Sequence, residues 1–537
     1  MTIFKLLQDD DCISSMLAYL CKEDIIRLGW LTSKACKKSI SGEAWRTITC
    51  NYKWRKSSGF GIVQRFESEF GIDKTKKISQ HDQYSDLFYH VVKLELSALI
   101  FDLGSETVKV GYSCETFPRI CEPTSKFIPV SSCSKPFNTS ASTSVYAELI
   151  RNLLQHLKVD FQIAKVFFIV RPFDEGYVNS FVEPQQIIRK IGTACFDMLN
   201  LQEVCFEYAP VCALQFYGED HGIVLSCGDK LSYVCNVHNG LLLKPRLPKT
   251  MLSKIGGRDL TLLTKNIVNE RNKIMVAKNL QCSLNDAITL KEEYTYTRAA
   301  VSKWCPDEKA VDGFLLESDS YTLVNNAATI KLREARFLVP EALFNPSILV
   351  DYKVISPEKC ERECVSVQEL CRRAINSIDT DERKLDIQSC LVCIDGGLDF
   401  PCFEMRLNRE LRRMQLRVLK ICTSDANRKY NVNKEHDRCS STLYNADTIK
   451  SNNKKRIWTS WRGACFMCGN LDNERLNSVG VEGRSGLHLK KKFGFGRWVD
   501  RNMWTKFGSS AFYKDFTTCM SRRSKTSLHD STGKSTV

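Results

Sequence analysis

The chain has 537 residues, 43% of them hydrophobic and 26% charged, with a formal net charge of +15. That length exceeds the usual ~100–200 residues of one domain, so at least two units are expected, and the composition excludes a disordered or collagenous class. No apolar run approaches the ~18 residues that a membrane span requires. The 25 cysteines would suggest a disulfide framework in a short secreted protein. Here the first twenty residues mix Lys5 with Gln8, Asp9, Asp10 and Asp11 instead of following a secretory layout, so the thiols read as reduced and the chain as cytosolic or nuclear. Two pairs have CxxC spacing, Cys390/Cys393 and Cys465/Cys468. Without partner motifs they read as structural, with zinc or redox chemistry as the alternative.

Taken in chain order, the first ~50 residues carry helical periodicity: Ile13, Met16, Leu17 and Leu20, then Ile25, Ile26 and Leu28, then Leu31 and Ala35, with Trp45 closing the pattern. Three short helices are predicted, separated by Cys21–Asp24 and by Ser41–Glu43. From Leu6 to Trp45 this resembles the F-box, the helical module that docks on the Skp1-type adaptor of a cullin ubiquitin ligase, although Leu7-Gln8 replaces its opening Leu-Pro. The resemblance implies partner-binding roles for Ile13, Leu17, Leu20, Leu28 and Trp45; a helical hairpin packed on the next domain is the alternative. Residues 51–95 are polar and read as a connector.

Val91 to Tyr112 reads as strand, tight turn, strand: an apolar run from Leu94 to Phe101, the turn Asp102 to Glu106, and a return through Val108, Lys109 and Val110. Such a turn aligns backbone N–H groups that, with the Ser105 hydroxyl, can hold a phosphate oxygen. Lys109 adds positive charge, and Asp102 is placed to hold the waters of a phosphate-bound magnesium. A second hairpin of the same design spans His221 to Val237, with Ser226, Gly228, Asp229 and Lys230 at its turn. Two such loops more than 100 residues apart suit a duplicated fold that clamps one ligand from both sides.

Further segments follow in order: Gly256–Thr261, Leu290–Tyr296, Phe337–Ser347, Cys393–Pro401 leading to Arg406–Leu411, and Ser460–Ala464. Together with the hairpins they resemble the actin family across residues ~96–480. The resemblance implies an α/β, duplicated ribonuclease H-like nucleotide-cleft fold. It implies a nucleotide site of Asp102, Gly104, Ser105, Lys109, Gly228, Asp229, Lys291, Glu292, Gly396 and Gly397, with Asp102 also serving the metal, and ATP or ADP with Mg2+ as the cofactor. The chain departs from the family's catalytic pattern. Ser226 stands where actin has an acidic residue, Val211 where a water-positioning glutamine is expected, and Glu106 and Lys230 where loop glycines are expected. A Glu106 carboxylate ~4 Å from a phosphate would be repelled by ~4 kcal/mol at an effective dielectric of ~20. Weak or static nucleotide binding, little or no hydrolysis and no catalytic residue are therefore expected. The short Ser/Thr/Pro-rich stretch between Pro123 and Tyr146 implies no actin-like filament, and 423–455 reads as a polar insertion.

The last part is basic, with 18 Lys and Arg against 6 Asp and Glu from Lys450 to Val537. Lys490–Lys492, Arg497, Trp498, Arg501, Trp504 and Lys506, then Arg522, Arg523 and Lys525, interleave cations with aromatics, which fits nucleic acid or nuclear import; a solvated tail from 481 to 537 is the alternative. F-box and actin-like parts together resemble the plant-type actin-related proteins with an N-terminal F-box. That resemblance implies a non-catalytic adaptor presenting an unknown protein substrate to a cullin ligase, in the nucleus, nucleolus included, and cytoplasm, with no membrane association. A nuclear actin-related subunit of a chromatin or ribonucleoprotein assembly is the second reading, and an active ATPase the third.

Overall fold

A computed structural model of the chain describes residues 97–113, 117–128, 142–157, 159, 164–173, 184–243, 247–271, 281–295, 297, 320–323, 329–332, 335–416, 418–422, 458–478 and 498–512. The F-box-like residues Ile13, Leu17, Leu20, Leu28 and Trp45, the 51–95 connector and the 423–455 insertion lie outside the described residues, as do Lys490–Lys492 and Arg522–Lys525.

The expected first hairpin is present: β1 (Leu99–Leu103) and β2 (Thr107–Tyr112) pair antiparallel, with Asp102 opposite Lys109. β3 (Ile120–Pro123) continues the meander. After α1 (Thr143–His156), β4 (Lys165–Val170) lies parallel to β1. Then α2 (Pro184–Thr193), which runs on into a π turn (Ala194–Met198), leads to β5 (Glu203–Tyr208), parallel to β4. Parallel strands covered on both faces need unbroken apolar runs, and Val166–Val170 supplies one, every residue being buried. α3 (Ala209–Phe216) starts directly after β5, with Pro210 in its first turn, where a missing N–H breaks no helical bond.

The second half repeats this plan. β6 (Gly222–Cys227) and β7 (Ser232–His238) form a hairpin, and β8 (Leu241–Leu242) and β9 (Leu252–Ser253) each pair with β7. Next come α4 (Gly257–Arg271) and α5 (Leu284–Tyr294), a two-stranded sheet of β10 (Ser320–Thr322) and β11 (Thr329–Lys331), and then α6 (Ala335–Glu341), α7 (Ser347–Asp351), α8 (Pro357–Glu363), α9 (Val367–Asn376) and α10 (Asp381–Gln388). β12 (Cys390–Ile394) is parallel to β6, and after α11 (Phe403–Arg413) β13 (Lys420–Cys422) is parallel to β12. The strand orders β5-β4-β1-β2-β3 and β13-β12-β6-β7-β8 therefore correspond position for position. The two hairpin turns correspond as well: the Gly104 N–H donates to the Thr107 carbonyl at 3.1 Å and the Gly228 N–H to the Leu231 carbonyl at 3.0 Å.

The second sheet separates two apolar cores by its period-2 alternation. Val224, Val392 and Ile394 face the first core, with Phe101, Phe168, Phe206 and Trp461; Ile223, Leu225, Leu391 and Cys393 face the second, with Leu260, Val339 and Phe403. α3 touches strands of both sheets, and α12 (Thr459–Ser478) crosses it while also packing on β1 and β4. The crossing is close because position 463 is Gly: a Cβ there would lie 1.6 Å from the Cys212 carbonyl oxygen.

The boundary expected at residue 480 does not hold, because residues 498–512 belong to the first lobe. β14 (Val499–Asp500) adds to the first sheet beside β5, followed by α13 (Arg501–Phe507). Trp504 stacks on Phe196 with centroids 5.3 Å apart and donates its indole N–H to Asp197 at 3.0 Å; Phe512 packs edge-on against Phe206 at 4.8 Å. Arg501, Asn502, Thr505 and Lys506 are exposed while Trp504, Ala511 and Phe512 are buried, so these cations are the wet face of a core element. The aromatics assigned to a nucleic-acid-binding tail are likewise committed: Trp504 is inside the fold, and Trp498 packs on the first core under the Lys165 ammonium, 4.1 Å from its ring.

Candidate functional site

The two hairpins and the ends of β4 and β12 meet where the lobes face each other. Asp102, last but one in β1, is 1% exposed. Its Oδ2 accepts from Lys109 Nζ at 2.8 Å, the cross-strand partner fixed by the hairpin register. Its Oδ1 accepts from Arg171 Nη1 at 2.7 Å. Arg171 stands just past β4, and Pro172 behind it both holds Arg171 in extended backbone and stops the strand. The other guanidinium nitrogen, Nη2, reaches Asp395 Oδ1 at 3.5 Å, and Asp395 Oδ2 accepts from the Ser226 hydroxyl at the end of β6. One arginine therefore ties an acid of the first sheet to an acid of the second. Asp395 has φ +69° and ψ 159°, a conformation that costs of order 1–3 kcal/mol for a non-glycine residue and that persists where its surroundings over-determine it.

Burial by itself would raise the Asp102 pKa, but the adjacent Arg171 charge and then Lys109 pull it down to about 2. Burial likewise disfavours the Arg171 cation, and Asp102 and Asp395 outweigh that and push its pKa up. Both groups are thus charged, and the two carboxylates balance the two cations. Beside them the buried Tyr233 hydroxyl leans on Ser226, and in the second turn Asp229 Oδ2 is buried without a hydrogen-bond partner. Tyr233 is 1% exposed and sits close enough to Asp395 and Arg171 for their charges to act on its hydroxyl. The sequence reading passed over Arg171, Asp395 and Tyr233. The available signals were an arginine capping the solid apolar run Val166–Val170 and an acid preceding Gly396-Gly397.

The family model described as Actin matches residues 178–467, more than half of the chain. The chain belongs to the actin family. Similar relatives are actin-related proteins. The chain is 24% identical over 358 residues to "Actin-related protein 2" of Caenorhabditis briggsae, covering 62% of this chain and 84% of the relative. It is 28% identical over 200 residues to "Actin-related protein 3" of Schizosaccharomyces pombe, covering 36% of this chain and 40% of that one.

Actin-family members bind ATP or ADP with Mg2+, and the residues here fit the two parts of that cofactor unequally. The phosphate-loop geometry is present. At Gly228 a Cβ would meet only the Leu231 carbonyl, at 3.7 Å, leaving the inner face of the second turn open, whereas at Gly104 it would strike the Thr107 carbonyl at 2.4 Å, so that turn closes only around glycine. Ser105 lies in the first turn. Lys291 Nζ donates to the Gly257 carbonyl at 3.3 Å and Thr261 Oγ1 at 3.0 Å, next to the second turn. Burial lowers its pKa, against the neighbouring charges of Glu292 and Asp229. Gly397 is packed so closely that a Cβ would lie 2.4 Å from Cys227 Sγ, which holds the diglycine turn against the end of β6; Gly396 beside it is exposed. Glu292 has a side chain 64% exposed and turns to solvent.

Magnesium does not fit at Asp102. Each carboxylate oxygen already faces a cation, Lys109 or Arg171, so the charge that would draw the ion is neutralised in place. A doubly charged ion ~4 Å from the guanidinium would be repelled by roughly 8 kcal/mol at an effective dielectric of ~20. The expected cost of Glu106 is smaller than the sequence suggested: Glu106 is exposed, and in water two unit charges ~4 Å apart interact by only ~1 kcal/mol. Its charge also acts favourably on Lys291 across the cleft. Val211 is 1% exposed in the first core, where it packs.

Other reactive-looking groups are structural. Cys390 and Cys393 are buried in β12, and Cys465 and Cys468 lie on α12. Burial pushes the Cys195, Cys212 and Cys235 thiols up, and takes Cys227 to about 12, so they stay protonated. His221, His238 and Asp386 converge at the far end of β6 and β7. Three of their four ring nitrogens have partners: His221 Nδ1 accepts the Asn239 N–H at 3.2 Å, His238 Nε2 bonds Asp386 at 3.1 Å, and His238 Nδ1 bonds the Asn239 side-chain amide at 3.2 Å.

Proposed function

We propose that this actin-related protein is a non-catalytic scaffold acting as an F-box adaptor: its N-terminal helices dock on a Skp1-type protein of a cullin ubiquitin ligase, and its actin-like body presents a protein substrate. The observation that carries the non-catalytic half is the Arg171 bridge. Phosphoryl transfer to water depends on a positioned nucleophile and on charge stabilisation. At this floor the acids are spent on holding a guanidinium, and the Ser226 hydroxyl is spent on Asp395. The adaptor half is supported by the Ile13, Leu17, Leu20, Leu28 and Trp45 periodicity. Affinity purification of the full chain tests it. The intact protein is expected to retain a Skp1-type protein, and the triple variant Leu17→Ala, Leu20→Ala, Trp45→Ala to lose it; failure of the intact chain to retain one sinks the adaptor role.

The nuclear-subunit reading now rests on cations alone, Lys490–Lys492 and Arg522, Arg523 and Lys525. Its test is truncation after Phe512 rather than after Gly480, since the earlier cut removes a strand and helix of the first lobe. Loss of nuclear retention on the later truncation would favour it.

A further inference from the structure

The floor of the cleft contains a fixed cation on a side chain in the position where Asp102 would otherwise serve a hydrated metal. Arg171 has a side chain 25% exposed, against 2% for Asp102 and 6% for Lys109, so it is the most accessible member of this network. Its Nη2 contact with Asp395 is loose, at 3.5 Å, and a guanidinium has five N–H donors in a fork that matches phosphate oxygens. The Tyr233 hydroxyl beside it is buried and leans on Ser226 and on the charges of Asp395 and Arg171, so it lines the network from behind. Across the second turn, buried Asp229 Oδ2 is an idle acceptor suited to a sugar hydroxyl. The inner face of that turn is open at Gly228.

We propose that Arg171 replaces the divalent ion in this cleft, so that the chain binds the phosphate chain of a nucleoside diphosphate or triphosphate without metal. In this arrangement the phosphate accepts from Arg171, while Asp102 and Lys109 hold the arginine in place from behind. Nothing in the scheme needs hydrolysis, and it goes beyond the scaffold role, which stands or falls on partner capture instead.

Isothermal calorimetry of the full chain with ADP decides the matter. The dissociation constant in EDTA and in excess Mg2+ is expected to agree within about twofold. An affinity that falls by more than about tenfold in EDTA overturns the proposal, as does the absence of ADP binding in both buffers. Adenosine is expected to give no heat; binding as tight as that of ADP would show that phosphate is not what is recognised and would equally overturn it. Arg171→Ala frees an oxygen of Asp102, so ADP binding should weaken at least about tenfold in EDTA and recover with Mg2+. Arg171→Lys keeps the charge and guards against misfolding, and should stay metal-independent with reduced affinity. Variants that bind ADP as the unaltered chain does in both buffers would remove Arg171 from the site.

Discussion

Asp102 keeps a negative charge where water does not reach, and Lys109 and Arg171 are what make that tolerable. A buried ion pair adds little over an apolar pair, yet removing one partner of it costs about 3–5 kcal/mol. Lys109 remains in Arg171→Ala, so we predict a loss near the lower end, about 3 kcal/mol, read from chemical denaturation. The acid limb of stability should carry the same signature. The folded pKa of Asp102, about 2, lies below the unfolded value of ~3.9. Its contribution is thus complete above pH ~4 and disappears as the pH falls toward 2, a change of about 2 kcal/mol. The stability gap between the unaltered chain and Asp102→Asn should therefore narrow by about that amount between pH 5 and pH 2, and a constant gap would mean that Asp102 is not held by its cations. A comparable pairing sits in the second lobe, where Arg406, over the Phe344 ring at 4.9 Å, bonds Glu341 at 2.7 Å and also Glu410. The Phe337–Ser347 motif thus serves packing.

At the scale of elements, the crossing of α3 and α12 is the most constrained contact. Alanine ordinarily favours a helix over glycine by ~1 kcal/mol. At Gly463, however, the added methyl meets the Cys212 carbonyl, and overpacking of this kind costs roughly 3 kcal/mol. Gly463→Ala is expected to destabilise, and a thermal midpoint equal to or above that of the unaltered chain would contradict the crossing. Truncation tests the element: ending the chain after Gly480 strips Trp504 and Phe512 from the first core and should cost at least about 4 kcal/mol in chemical denaturation. Both hairpins were legible in the sequence because alternating and solid apolar runs flank glycine turns, and the diglycine turn was legible from Gly396-Gly397. The 498–512 segment was not, since Arg497, Arg501 and Lys506 mask the spacing of Trp504, Ala511 and Phe512 that packs. Arg171 was hidden for a different reason: its meaning comes from Asp395, 224 residues away, and local pattern carries no such information.

For the molecule as a whole, matching strand order in two sheets with unequal floors describes a duplicated body in which Ser226 and Asp395 of the second half stand where the first has Asp102 and Arg171. The full-length protein is expected to release no phosphate from ATP above the buffer rate; turnover abolished by Asp102→Ala would overturn the non-catalytic reading. The return of the chain to its first lobe also sets an order of events during synthesis. The second lobe is continuous, from β6 to β13, while the first waits for α12, β14 and α13 to close over Trp461, Trp504 and Phe512. Domains generally fold as units while the chain emerges, so we expect residues 222–422 to become protease-resistant on the ribosome before residues 99–216 do. Arrested nascent chains ending near 450 should show that inverted order, in which the half made first is finished last.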